Sequence, residues 1–227
     1  MLKRVGATLL AVSLLVGGCG GGEGKDGSEP TRSSSPTTQP FALSQAGAGR
    51  ALQALAPPAG WSRKAACPGR KDCPALEKSM RWSRLVQFEG PELPGGNGIT
   101  GLVVARVSEH KSAGLAHAAL TKVEKEEQHY DGRFSTPIKG SAGSYRPGES
   151  GSGTVDGTHA DGWTGLERDA TFSFTFSGQP PSAKARMQRI FLVQGPYELS
   201  VYVGRTASAK APDAAEVLSL LLDALAT

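Results

Sequence analysis

The sequence predicts an α+β domain in which two or three helices pack on an antiparallel sheet of about five to six strands. Helical apolar spacing occurs near the start, in the middle and at the end of residues 41–227, with short strand-like runs between. The resulting order, α-β-β-β-α-β-β-β-α, groups the strands together, which is typical of α+β folds. This stretch is long enough for one domain with a substantial core.

The first helix is expected over about residues 44–56. Leu52 and Leu55 supply apolar side chains, the Ser44 hydroxyl can cap the first turn, and Pro57 stops the helix. This segment therefore has a start signal, an apolar face and a stop signal.

Three strands are expected before the second helix. A turn at residues 58–61 leads Trp61 into the first strand. In the second strand the apolar residues share one parity: Met80, Trp82, Val86 and Phe88. Gly90–Gly98 is dense in Gly and Pro and predicts a loop. Ile99–Val107 is apolar on both parities, which indicates a central strand covered on both faces.

A long amphipathic helix is predicted from Ser112 to Tyr130. Its apolar face consists of Ala116, Leu120, Val123 and Tyr130. Gly140–Gly162 is rich in Gly and Ser and has no apolar period, so we expect a mobile loop there.

Three strand-like runs and a helix complete the domain. The runs are Trp163–Phe176, Ala185–Gln194 and Tyr197–Val203. In the first run, Phe172, Phe174 and Phe176 alternate with polar residues, as in a half-buried strand. Gly195-Pro196 predicts a tight hairpin. Pro212 and Asp213 open the last helix, whose apolar stripe consists of Val217, Leu220, Leu221 and Leu225.

Residues 1–18 have the layout of a secretory signal peptide. Two basic residues precede an apolar run that is too short to span a bilayer, and two glycines follow it. Val16-Gly17-Gly18-Cys19 resembles the bacterial lipobox. The resemblance implies cleavage before Cys19, a diacylglyceryl group on its thiol and acylation of the new amino end. Two acyl chains suffice for stable membrane anchoring.

A flexible tether is expected between this anchor and the domain. Residues 20–40 hold no large apolar side chain and cannot offset their ordering entropy, so their root-mean-square span is about 25 Å. We therefore expect a signal peptide at 1–18, lipidated Cys19 and tether at 19–40, and a single domain at 41–227. The domain would lie on the extracytoplasmic face of the cell membrane.

Cys67 and Cys73 remain as an even pair once Cys19 carries lipid. An exported protein meets an oxidising compartment, and the residues between the two cysteines favour a turn, so a structural disulfide is favoured. The alternatives are a metal site, which lacks nearby histidine ligands, and a redox pair, which lacks the Cys-x-x-Cys spacing.

The charge of the chain does not indicate nucleic-acid binding. The formal net charge of +4 becomes +2 when Lys3 and Arg4 leave with the signal peptide. Basic residues are concentrated in one stretch, namely Arg63, Lys64, Arg70, Lys71, Lys78, Arg81 and Arg84. This stretch is interpreted as a solvated loop, and contact with anionic lipid or wall polymer is the alternative.

The element order and three local features resemble envelope domains of actinobacteria. The features are Pro58-Ala59-Gly60-Trp61, the run from Arg189 to Gly195, and the closing helix. The similar families are mycobacterial kinase-sensor and lipoprotein domains, and also the Mog1/PsbP-like group. The resemblance implies a non-catalytic binding or sensing role, although such sensor domains generally carry two cysteine pairs. It assigns no functional residue.

No catalytic motif stands out. Asp156, His159 and Asp161 form a candidate cation or hydrolase site, but their spacing fits neither a calcium loop nor a zinc motif. His117 and Glu124 can share a helix face but lack a third ligand. Residues 148–153 resemble a nucleophile elbow without its second glycine. Trp61, Trp82 and Trp163 are interpreted as core, with a ligand cleft as the alternative.

The sequence therefore predicts a membrane-anchored extracytoplasmic lipoprotein that binds or senses an unknown ligand or envelope protein. No enzyme activity, cofactor or nucleic-acid partner is expected. The alternatives are an envelope hydrolase or metal-dependent enzyme that uses Asp156, His159 and Asp161, and a structural protein docked on wall polymer.

Overall fold

The computed structural model describes residues 42–64, 77–138, 147–207 and 212–227, all of which belong to one compact unit, Phe41–Thr227. The helices are α1 (Gln45–Ala54), α2 (Ala113–Glu127), which a 3₁₀ turn (Gln128–Tyr130) extends, and α3 (Ala214–Leu225). The strands are β1 (Ser62–Lys64), β2 (Met80–Glu92), β3 (Thr100–His110), β4 (Gly132–Thr136), β5 (Gly148–Ala160), β6 (Trp163–Thr175), β7 (Ala185–Gln194) and β8 (Tyr197–Thr206).

The eight strands form a single antiparallel sheet in the order β1-β2-β3-β8-β7-β6-β5-β4. The α+β class is confirmed, but the expected five to six strands are too few. The two strands missing from the sequence-based order are β4 and β5. The last strand, β8, lies between β3 and β7, so the sheet joins the early and late parts of the chain.

The first face of the sheet, defined as the face that carries Phe88 and Val201, holds the main core. Helices α1 and α3 contact each other, α1 contacts β2 and β3, and α3 contacts β7 and β8. The core side chains from the central strands include Val86, Phe88, Val103, Ala105, Ile190, Leu192, Leu199, Val201 and Val203. Their burial drives the docking of the two helices.

The second face of the sheet carries Tyr202 and Arg189 and packs against α2. Apolar side chains of α2 meet β6 and β7 in one cluster: Ala116, Leu120, Val123, Leu166, Phe191 and Val193. A second cluster on this face contains Phe134 of β4 and Phe172 and Phe174 of β6. Their rings meet edge to face, with centroids 5.7 Å apart for Phe134–Phe172 and 5.2 Å for Phe172–Phe174.

The prediction of a mobile loop over Gly140–Gly162 is wrong for residues 148–160, which form β5. Glycine replaces the expected apolar side chains because this strand passes close to its neighbour. A Cβ on Gly151 would lie 2.4 Å from the Phe172 Cβ and 2.2 Å from the Thr171 carbonyl oxygen. Gly151 pairs with both Phe134 and Phe172 in register, so its missing side chain leaves room for the two rings. Residues 139–146 lie outside the described residues.

The two-residue turns β5–β6 and β7–β8 contain residues with positive φ. Asp161 and Gly162 connect β5 to β6 with φ of 47° and 83°, as a two-residue turn of the I′ type requires. Gly195 has φ of 55° and is followed by Pro196, which confirms the predicted tight turn between β7 and β8.

The predicted helices are confirmed with small changes. Ser44 and Ser112 cap α1 and α2 with their hydroxyls, and Asp213 with Glu216 forms a capping box at α3. The predicted stripe of α3 is wrong at Leu220, which is 59 % exposed. Its buried apolar residues are Ala214, Val217, Leu218 and Leu221.

Two predictions for the early strands need correction. Gly90 to Glu92 belong to β2 and not to a loop. Strand β3 is fully buried only on the first face, since Leu102, Val104 and Arg106 on the second face are half-buried. Helix α2 packs mainly over β7, so the second face of β2, β3 and β8 is less covered.

We expect Gly151→Ala to lower the free energy of unfolding by about 1–3 kcal/mol, since the added methyl group overpacks the Phe172 contact. Gly157→Ala on the same strand is the matched control, because its nearest neighbour would be 4.0 Å away. Chemical denaturation of both variants measures the difference. Equal stability of the two variants would contradict this account of β5.

Candidate functional site

Buried charged side chains on the second face of the sheet mark the candidate site. Glu127, Arg168, Glu198 and His110 are each at most 4 % exposed. Burying charges costs free energy unless they are paired, and such pairs are weak sources of stability. A group of them on one sheet face is therefore a candidate for function.

Glu198 on β8 holds the first group together. Its Oε1 accepts a hydrogen bond of 2.5 Å from Arg106 Nη2, and its Oε2 lies 2.9 Å from His110 Nε2. Both basic residues come from β3, the strand next to β8. Nδ1 of His110 has no hydrogen-bond partner among the described residues. The Arg106 side chain remains 28 % exposed, so a buried carboxylate fixes a guanidinium at the surface.

Glu127 at the end of α2 holds the second group. Its Oε2 accepts from Arg168 Nη1 and its Oε1 from Arg189 Nη1, both at 2.6 Å. Arg168 is buried and stacks over the Tyr130 ring at 4.4 Å, and no described residue accepts a hydrogen bond from its Nε. Arg189 is 23 % exposed. One carboxylate thus serves two cations, one deep and one at the surface.

Burial dominates the ionisation of the neighbouring groups. It raises the pKa of Glu149, against the opposing influence of Arg168. Burial, followed by the charge of Glu149, raises the pKa of Tyr130. Burial also raises the pKa of Tyr202 to about 12, so this phenol is neutral at physiological pH.

The strand register places the two exposed arginines close together. Tyr202 pairs with both Val104 and Arg189, and Ser200 pairs with Arg106. Arg106 and Arg189 therefore lie on either side of β8 and one row apart, with Cα atoms about 12 Å from each other by strand spacing and rise. We call Arg106, Ser200, Tyr202 and Arg189 the arginine strip.

A small apolar cavity of about 130 Å³ adjoins the arginine strip. Tyr202 belongs to both, and its hydroxyl leans along β8 over Gly204, where an added Cβ would lie 3.1 Å from it. The large apolar side chains of the lining include Leu93, Ile99, Leu102, Phe174 and Met187. The second face thus offers polar donors at one end and apolar surface at the other.

The sequence-based candidates for catalysis do not come together. Asp156 and His159 are exposed on β5, and their odd spacing places them on opposite faces of the sheet. Asp161 lies in the two-residue turn between β5 and β6, where it has a positive φ. In the ranges that the structure describes, no three His, Cys, Asp or Glu side chains are grouped as metal ligands. His117 is exposed on α2, and Glu124 is half-buried.

The described part of the basic stretch is largely engaged within the domain. Arg63 donates to the carbonyl oxygens of Gln53 and Leu55 and lies over the Phe88 ring, so it closes the end of α1. Lys64 pairs with Glu89, and Arg81 pairs with Glu109. Arg70 and Lys71 lie outside the described residues, as do Cys19, Cys67 and Cys73. The lipidation and the disulfide therefore stay predictions.

The three tryptophans pack against the core of the first face. Trp163 is 2 % exposed, and Trp61 and Trp82 are partly buried against the same cluster. Trp61 lies on two glycines, since a Cβ on Gly90 or Gly101 would come within 2.5 or 2.8 Å of its indole ring. The interpretation as core is confirmed for these residues.

Sequence reasoning missed the arginine strip entirely. A usable signal was present at two positions: Arg106 interrupts an apolar strand, and Arg168 shares the parity of the apolar residues Leu166 and Ala170. A charged residue at a position that the alternation assigns to the interior indicates a buried ion pair. The partner cannot be read from such a pattern.

No protein-family model matches the chain, and no curated protein matches it. Among solved structures, the extracellular domain of PknH from Mycobacterium tuberculosis is similar, with 10 % sequence identity and a TM-score of 0.43. The similarity covers 83 % of this chain and 98 % of that domain. In the described ranges, none of the helices combines the length and apolar character needed to cross a bilayer.

We expect Glu127→Gln to lower the free energy of unfolding by about 3–5 kcal/mol, because it leaves Arg168 buried without a counter-charge. The neighbouring Glu126→Gln is the matched control. Glu126 is exposed and lies 3.9 Å from Lys122, so its replacement should change stability by less than about 0.5 kcal/mol. Chemical denaturation distinguishes the two, and a small effect at Glu127 would show that the pair is not a constraint on α2.

The stability of the domain should respond to Glu149 as pH changes. Because burial raises the Glu149 pKa above its ordinary value of 4.5, the stability that this group contributes is present below about pH 4.5 and lost as pH rises through the folded-state pKa. Glu149→Gln removes that loss. The free energy of unfolding of the variant, relative to the natural protein, should therefore increase from pH 4.5 towards pH 7.

Asp169→Asn provides a control of opposite sign. A hydrogen bond from Arg186 lowers the Asp169 pKa below 3.8, so its stabilisation is present above that value and lost in acid. The Asn variant should lose stability relative to the natural protein as pH rises from about 2.5 to 5. Parallel pH profiles for the two variants would contradict the assignment at Glu149.

Proposed function

We propose that this protein is a lipid-anchored extracytoplasmic binding module whose ligand occupies the arginine strip on the second face. One observation carries the proposal: two part-exposed arginines are each held by a carboxylate that is almost fully buried. Such an arrangement fixes cationic donors at the surface, at a cost in stability that packing alone does not require.

The side chains of the strip are suited to binding and not to proton transfer. Arginine stays protonated and has no acceptor, so it cannot act as a base. Tyr202 ionises only at about pH 12 and is a hydrogen-bond donor at neutral pH. The nearest carboxylates, Glu127 and Glu198, are each bound by two basic side chains. The four side chains of the arginine strip are therefore suited to donating hydrogen bonds and not to transferring a proton near neutral pH.

The anchoring part of the proposal rests on the sequence. The Val16–Cys19 pattern would anchor the protein by lipid, and residues 20–40, whose composition predicts a flexible tether, would hold the domain outside the cell membrane without a membrane-facing surface of its own. A tethered binding domain of this kind is suited to capturing or sensing a ligand in the envelope.

Replacing Cys19 tests the anchor. We expect the natural protein to sediment with membranes and to carry a diacylglyceryl group by intact-mass analysis, whereas Cys19→Ala should be uncleaved or released and should carry no lipid. Cys67→Ala is the control, since it should leave the lipid in place.

An unmodified amino terminus in the natural protein would contradict the anchor. The anchor would also be contradicted if the Cys19→Ala variant, after removal of its signal peptide, sedimented with membranes as fully as the natural protein. Native mass spectrometry of protein purified under mild conditions tests the binding role separately, through any small molecule that remains bound.

A further inference from the structure

We propose that the second face binds a single-chain amphiphilic anion, with its carboxylate or phosphate at Arg106 and Arg189 and its chain in the apolar cavity under Tyr202. This inference rests on the proposed binding function and names the chemistry of the ligand. It follows from the position of the two ends of the site relative to each other.

The arginines retain unused donors. Each guanidinium carries five N–H groups, and within the described residues Arg106 and Arg189 each use one of their Nη atoms to hold a glutamate. Each side chain is about one quarter exposed, so the remaining donors can reach a ligand. Glu127 is shared between Arg189 and Arg168, and Glu149 is a further carboxylate close enough to interact with Arg168. An anion completes this set by charge-assisted hydrogen bonds.

The cavity supplies the apolar end. Seven apolar side chains line it, the five named above together with Pro91 and Ala185, and its volume is about 130 Å³. That is sufficient for the end of an alkyl chain. The Tyr202 ring, between the cavity and the arginines, offers an apolar surface along which such a chain can lie.

The distance between the two ends sets the length of the ligand. Met187 lines the cavity two residues from Arg189 on β7, which corresponds to about 7 Å at the rise of a strand. Leu102 lines it four residues from Arg106 on β3, which corresponds to about 14 Å. A short inorganic anion spans only the cationic end, and a small hydrocarbon only the apolar end. An extended fatty-acid-like chain reaches both.

The proposal is tested by NMR on isotope-labelled protein that contains the tether and the domain, residues 20–227. Octanoate is titrated into this protein. Octanol and octylammonium, which have the same chain with neutral and cationic heads, are the matched ligands. We expect octanoate to shift amide resonances of β3, β7 and β8 and to bind at least about tenfold more tightly than either control, and we expect added salt to weaken binding.

Variants then separate the two ends of the site. Arg189→Gln and Arg106→Gln should each weaken octanoate binding about tenfold, and Arg189→Lys should weaken it less because the charge remains. Arg133→Gln is the control, since Arg133 is exposed on β4 away from this strip. Gly204→Ala adds a methyl group beside the Tyr202 hydroxyl in the cavity and should weaken octanoate but not inorganic phosphate.

Several results would overturn the proposal. If octanol bound as tightly as octanoate, the arginines would not recognise the anionic head group. If Gly204→Ala left octanoate binding unchanged, the cavity would not hold the alkyl chain. Sedimentation with phosphatidylglycerol vesicles that is lost in Arg189→Gln would assign the strip to a bilayer surface instead. If Arg189→Gln fails to fold, the comparison of the three ligands on the natural protein still decides. No shift with any ligand would end this inference and leave the anchor and the native-mass result for binding unaffected.

Discussion

The Glu127 carboxylate is the interaction on which the second face depends. It lies in the last turn of α2, where the helix dipole disfavours a negative charge, and it is almost completely buried. Two arginines from neighbouring strands compensate for both costs, since Arg168 and Arg189 donate to its two oxygens. These two ion pairs therefore fix the end of α2 over β6 and β7. The 3₁₀ turn that follows α2 places the Tyr130 ring against Arg168.

The two faces of the sheet differ in what they bury, and this difference makes the buried charges of the second face possible. The first face is covered by α1 and α3 and buries a continuous apolar core across β2, β3, β8 and β7. That core supplies most of the apolar burial, so the second face can hold ion pairs that contribute little net stability. The same central strands serve both faces: Val103 and Val201 point to the core, while Val104 and Tyr202 point to the arginine strip.

The sequence predicted the elements whose apolar residues follow a regular period, and it failed where packing needs the absence of a side chain. Strands β6, β7 and β8 and the three helices have such a period. Strand β5 does not, because Gly151 and Gly153 must leave space for the neighbouring strand and its rings. No local rule distinguishes such a strand from a glycine-rich loop, since the decisive atoms belong to Phe172 and Ala170.

The candidate site escaped prediction for a related reason, since its pairs join distant parts of the chain. Arg106 and Glu198 are 92 positions apart, and the sheet order that places β8 beside β3 brings them together. Glu127 and Arg189 are 62 apart, and the packing of α2 over β7 brings them together. Because β8 lies between β3 and β7, one arginine stands on each side of β8, and Tyr202 lies between them and lines the apolar cavity. The topology that closes the core is thus also what aligns the polar and apolar ends of one surface. A different strand order would keep the helices and the periodicity but lose the site.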